Sequence, residues 1–176
     1  MNTAGPKGLR RAKLHFDQIT HDMPLIYQNR IELDKDIQTV VSVFSDRHQI
    51  ADWQRGFISM EEKKGEPGAN GSTAELTYNN RGREMKMMET ITDNGLPHHF
   101  HGHYEMPGIR NIQRNFFDDL GHGRALWRSE TEFQFDSFAM RLMGKLMPGM
   151  FKKTSQRFMD DFKDWIENGH SARQKS

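Results

Sequence analysis

Glu89 alternates with Met85, Met87 and Ile91 on one face of a strand-like run, which sends a carboxyl toward a protein core. Burial raises a carboxyl pKa, so Glu89 is a candidate general acid or base. Tyr104 would assist it, with Asn111 or Asn115 holding an oxygen that gains charge. A cofactor-independent cyclase or dehydratase acting on a carbonyl compound could run on that set, with Glu89 and Tyr104 as its catalytic residues. The plainer account is a carboxyl tied to neighbouring amides and hydroxyls, because structural networks also perturb pKa values.

The second group is His98-His99-Phe100-His101-Gly102-His103. Histidine is the commonest metal side chain, but strand spacing works against a three-histidine site. His99, His101 and His103 line one outer face, and at about 3.3 Å per residue the outer two stand roughly 13 Å apart, too far to share an ion with bonds near 2 Å. Two of them would need a carboxylate from the next strand. A solvated stripe is the expectation, with no metal site and no cofactor.

These residues must be positioned by the elements around them. Tyr27, Ile31 and Leu33 share an alternating face and predict a first strand over 27–34. Asp34 or Asp36 then caps a short helix carrying Ile37, Val40, Val41 and Phe44, and Ser45-Asp46 restarts a second that ends near Trp53 and Gly56. Strands follow at 57–63, 73–80, 83–92, 98–106, 110–118 and 125–136. The turns between them are marked by Gly65 to Gly71, Asn80-Arg81-Gly82, Asp93-Asn94-Gly95, Pro107-Gly108 and Gly121-His122-Gly123. Such short connections imply an antiparallel meander. Beyond Phe135 the period becomes helical, and Leu142, Met143, Leu146, Met147, Met150, Phe151, Phe158, Phe162, Trp165 and Ile166 form a broad apolar face that Pro148-Gly149 should kink. That face has only the sheet to cover. Residues 1–25 read as a flexible arm, 26–168 as one domain, and 169–176 as a disordered tail.

Hairpin geometry carries the face assignment from strand to strand. It opposes Tyr104 to Asn111, Glu89 to Phe100, and Phe117 to Trp127. The inner face then holds Met85, Met87, Glu89, Phe100, Tyr104, Asn111, Gln113, Asn115, Phe117, Trp127, Ser129, Thr131 and Phe133, with Met143, Met147, Met150 and Phe151 facing it from the last helix. The outer face holds charges such as Arg114 and Glu130, suited to cross-strand pairing. A core built only for packing would not gather so many amides and hydroxyls, since buried polar groups cost free energy unless paired. An apolar pocket with a few converging polar groups is the usual make-up of a small-molecule site, so all of these are candidate ligand-binding residues.

Composition narrows the partners. The chain has 176 residues, 25 basic and 24 acidic, for a net charge of +1, so the overall balance calls for no nucleic acid. The absence of cysteine excludes disulfides and thiolate chemistry and favours a cytoplasmic setting. Arg141, Lys145, Lys152, Lys153 and Arg157 on the last helix suit either solvent or a transient contact with anionic lipid.

The run IELDKDIQTVVSVFSD with Trp53 and Gly56, the turn from Gly65 to Gly71, METI with Glu89, Tyr104, WRSETEFQF, and MPGMFKKTSQRFMDDFKDWIE together resemble the START-related superfamily, which includes the birch-pollen allergen and polyketide cyclase/dehydrase-like proteins. The resemblance covers roughly residues 26–167. It implies an α+β helix-grip fold, a curved antiparallel sheet of six to seven strands wrapped around a long C-terminal helix, with two short helices after the first strand. It also implies a cavity for a lipid, sterol-like or aromatic ligand, and carries over no catalytic residue. Three function classes stand: a carrier or sensor of a small hydrophobic molecule, the cyclase or dehydratase above, and a protein-binding module like some co-chaperones of this superfamily.

Overall fold

The computed structural model describes residues 24–174. The expected arm lies outside the described residues except for its last two positions. There Leu25 already belongs to β1 (Leu25–Leu33), two residues earlier than alternation from Tyr27 suggests, because pairing with β7 reaches back to Leu25–Phe133. Two short helices follow, α1 (Ile37–Ser45) and α2 (Ile50–Trp53). Asp36 caps α1, its carboxylate accepting from the Thr39 amide at 2.9 Å, so the second of the two candidate caps is the one used.

Six further strands form the meander: β2 (Phe57–Lys64), β3 (Thr73–Asn80), β4 (Arg83–Gly95), β5 (His99–Met106), β6 (Ile109–Gly121) and β7 (Arg124–Phe135). With β1 they make one seven-stranded antiparallel sheet in the order β1-β7-β6-β5-β4-β3-β2. The β3–β4 turn is tight because Arg81 and Gly82 both take positive φ, 54° and 83°, while Asn80 pairs with Arg83. That is the twist a two-residue hairpin needs.

Across β4 and β5 the register departs from expectation. Glu89 opposes Tyr104, not Phe100, and Phe100 opposes Asn94. Strand β4 runs on to Gly95, so the turn lies beyond Asp93-Asn94-Gly95, and a bulge between Ile91 and Asp93 shifts the register by one more residue. The other two expected oppositions, Tyr104 with Asn111 and Phe117 with Trp127, are present.

The C-terminal apolar run divides at Pro148 into α3 (Phe138–Leu146) and α4 (Pro148–Asn168). Helix α4 lies in the curve of the sheet. Its Phe162 is wholly buried, with its ring centroid 5.1 Å from Trp53 and 5.2 Å from Trp127. Phe44 of α1 joins this cluster against Phe100, Phe117 and Trp127. Of the segment 169–176 expected as a tail, the described residues run through Gln174. Ala172 is fully buried, and Asp52 of α2 accepts from Ser171 Oγ at 2.9 Å and Arg173 Nε at 2.6 Å.

Candidate functional site

Between the sheet and the first half of α4 lies a cavity of about 830 Å3, within the range of small-molecule sites. Strand register builds its floor. From β4, β5, β6 and β7 come Met85, Met87, Tyr104, Asn111, Gln113, Asn115, Trp127, Ser129 and Thr131. These are nine of the expected ligand-facing residues, aligned because Tyr104 opposes Asn111, Gln113 opposes Thr131, and Asn115 opposes Ser129.

The other eight lie elsewhere. Glu89 is buried behind Tyr104 and does not line the cavity. Phe100 and Phe117 belong to the ring cluster that closes one end. Phe133 and Phe151 are 5.1 Å apart and pack with Phe135 outside the cavity wall. Met143, Met147 and Met150, expected to face the cavity, are exposed. Met147 lies between the two helices and Met150 in the first turn of α4, whereas for Met143 the cause is Gly144, the one buried residue of α3. A Cβ there would stand 2.8 Å from the Phe135 ring, so the helix rests on the sheet through its glycine and turns Leu142, Met143 and Leu146 outward.

The polar groups of the cavity wall have two different fates. Asn115 is fully engaged, donating to the Phe100 carbonyl at 3.2 Å and accepting from Trp127 Nε1 at 3.0 Å, so it orders the sheet and is not free to hold a substrate oxygen. Asn111 Oδ1 and Asn29 Oδ1 are buried without a hydrogen-bond partner. The Asn29 amide nitrogen bonds Gln156 Oε1 at 2.7 Å, joining β1 to α4. A hydrogen bond of 2.8 Å between the Tyr27 and Ser155 hydroxyls makes the same connection.

Tyr104 and Glu89 are hydrogen-bonded neighbours. Burial pushes the Glu89 carboxyl above its ordinary value, only partly opposed by the Tyr104 bond and the charge of Arg47. Tyr104 is pushed well up by burial first and then by Glu89 and Tyr78. Tyr78 rises for the same leading reason and donates to Gln54 Oε1. The Tyr104 hydroxyl is thus hydrogen-bonded to a carboxyl that burial holds above its ordinary pKa.

Several wall residues escaped the sequence analysis. Tyr78 was legible: the Arg81-Gly82 turn sets it opposite Met85, and Ala74, Leu76 and Tyr78 alternate onto the inner face. Gln54, Arg55 and Gly56 come from the loop after α2, and Thr154, Ser155, Arg157, Phe158 and Met159 from α4. Gly56 has φ of 72°, and a Cβ would meet the Asn79 carbonyl at 2.4 Å, so only glycine lets that loop lie against β3.

On the outer face the histidines are half-covered, not freely solvated. A ring nitrogen of His99, one of His101 and a carboxylate oxygen of Asp93 lie within 4.8 Å of one another. His99 Nε2 and Asp93 hydrogen-bond at 2.9 Å. Burial holds the His103 pKa down, with the charge of Arg110 adding to it. Arg114 opposes Glu130 in register, but its ion pair, at 3.8 Å, goes to Glu132.

A seven-stranded sheet gripping α4, with a cavity between them, is the helix-grip architecture of the START-related superfamily. Solved structures with this fold include a START superfamily protein from Mycobacterium smegmatis at a TM-score of 0.68 and 12% identity, covering 81% of this chain and 97% of that one. Norcoclaurine synthase from Thalictrum flavum, in complex with dopamine and hydroxybenzaldehyde, aligns at 0.62 and 12% identity over 94% and 95% of the two chains. Ara h 8.0201 aligns at 0.63 and 9% identity over 82% and 98%. No protein-family model and no curated protein matches the sequence. No helix of the described residues is long and apolar enough to cross a membrane.

Proposed function

We propose that this protein binds a small hydrophobic molecule in the cavity beneath α4, as a carrier or sensor. The observation that carries the reading is the wall itself. About 830 Å3 is lined by apolar side chains such as Met85, Met87, Trp127 and Phe158, interspersed with amides and hydroxyls such as Gln113, Ser129 and Thr131. An apolar wall with a few converging polar groups is what a small-molecule site offers a mostly apolar ligand. The M. smegmatis and Ara h 8.0201 structures share the scaffold and leave the ligand's identity open. Native mass spectrometry of freshly purified protein, followed by organic extraction, tests the reading. A stoichiometric small molecule is the expected result. A bare polypeptide mass, together with no uptake of fatty acid, sterol or aromatic probes, would overturn it.

A second reading has its own observation. Tyr104 lines the cavity and is hydrogen-bonded to the buried Glu89, a proton-transfer pair suited to a cyclase or dehydratase. Norcoclaurine synthase offers a precedent for an enzyme on this scaffold. Under this reading Glu89→Gln keeps fold and ligand but loses turnover. Unchanged turnover would remove Glu89 from the chemistry.

A further inference from the structure

The charged residues in the cavity wall are Arg55, Arg81, Arg157 and Arg173. No acidic side chain and no lysine joins them. Two of the four are already committed. Arg55 makes a two-pronged ion pair with the buried Asp161, its Nη2 donating at 2.9 Å. Arg173 grips Asp52 through Nε and Nη2. Arg81 and Arg157 pair with no carboxylate among the described residues. Arg81 stands at the tip of the β3–β4 hairpin and Arg157 on α4, both exposed, so each can swing over the cavity while its guanidinium stays in water.

Deeper in, the wall is neutral: amides of Asn29, Asn111 and Gln113, and hydroxyls of Ser129, Thr131 and Tyr104. A charge carried to that depth would be desolvated without a counter-ion. At the rim it would meet two unpaired guanidiniums, whose planar donor forks match the oxygens of a carboxylate, sulfate or phosphate. The polarity of the site thus runs from apolar and neutral at the bottom to cationic at the rim.

We infer that the ligand is an amphipathic anion, with an apolar body in the cavity and a carboxylate or phosphate-type group at the rim against Arg81 and Arg157. This rests on the cavity reading above and adds the charge of the ligand to it.

The test is isothermal titration of the full-length protein with four probes sharing one C12 tail: dodecanoate, dodecyl phosphate, dodecanol and dodecyltrimethylammonium, each below its micelle concentration. An anionic head should bind about tenfold tighter than the alcohol, the gain of one charge-assisted hydrogen bond, and the cation should bind weakest. The order of dodecanoate and dodecyl phosphate separates a carboxylic acid from a phosphoester. In Arg81→Gln/Arg157→Gln, with folding checked by circular dichroism, the ratio of anion to alcohol affinity should fall to within about twofold, and salt should shrink it in the parent. Equal binding of anion and alcohol would overturn this inference and leave the cavity reading standing. Failure of all four probes to bind would count against the cavity reading. An anion preference that survives the double substitution would remove these two arginines from the site.

Discussion

Replacing Phe162 with alanine removes the ring on which α4 hangs. The side chain is wholly buried, and its centroid lies 5.1 Å from Trp53, 5.2 Å from Trp127 and 6.4 Å from Phe44. Three aromatic neighbours from α1, α2 and β7 cannot all close on an alanine, so both the transfer and the cavity contributions to stability are lost. For a buried phenylalanine these come to about 3–5 kcal/mol. In a domain of this size each kcal/mol moves the melting temperature by about 2–4 °C, giving a fall on the order of 10–15 °C. Phe151 is only half-buried against Phe133 and Phe135, so Phe151→Ala should cost less, about 1–2 kcal/mol. Urea unfolding followed by tryptophan fluorescence and far-ultraviolet circular dichroism measures both. The midpoint should shift at constant slope. A loss below about 1 kcal/mol for Phe162→Ala, or a larger loss for Phe151→Ala, would refute the claim that the grip is closed at the ring-cluster end.

Glu89→Gln tests the buried acid by pH. Because the folded pKa is raised above its ordinary value near 4.5, the contribution of the protonated carboxyl is fully present below the unfolded pKa and lost as pH rises through the folded one. The parent should therefore lose stability relative to Glu89→Gln as pH climbs from 4 to 8, read as diverging urea midpoints. Parallel curves would mean that Glu89 ionises freely. Gly56→Ala should destabilise by roughly 1–3 kcal/mol through its positive φ and its collision with the Asn79 carbonyl, and thermal melts showing a neutral effect would contradict the close approach at the cavity rim.

What the sequence discloses and what it conceals separate along physical lines. Turns are local, so Arg81-Gly82, Pro107-Gly108 and His122-Gly123 announce their hairpins, and the opposition of Tyr104 to Asn111 follows from counting outward. Nine of the cavity residues were legible for that reason. The bulge at Ile91–Asp93 was not, because a bulge is decided by how β4 and β5 fit one another. The later turn, at 96–98, carries Glu89 past Phe100, and the bulge then shifts the pairing by one residue so that Tyr104 stands opposite it. Met143 of α3 misled because helical periodicity identifies an apolar face without saying which side meets the sheet. Gly144 decided that, through a contact with Phe135 that no local pattern reveals. The arginine rim gathers residues 55, 81, 157 and 173 from the α2–β2 loop, a hairpin, α4 and the C-terminal segment, and only the tertiary fold brings them together.

The two fates of the inner amides argue that the cavity is built and not a packing defect. Were the polar inner face merely an ordering network, each amide would be satisfied within the protein, as Asn115 is by Phe100 and Trp127. Asn111, four residues away on the same strand face, keeps a bare Oδ1. Both amides belong to residues lining the same cavity of about 830 Å3. At about 30 Å3 per molecule that volume holds on the order of 25 waters, far more than two bare acceptors need. A fold that seals one end with six stacked and edge-on rings and leaves the other hollow, polar and rimmed with arginine has spent its aromatic residues on fixing α4 at a distance from the sheet. Under the proposed ligand-binding role, filling that space with larger side chains at Gln113 or Thr131 should raise stability and lower uptake of a bound molecule.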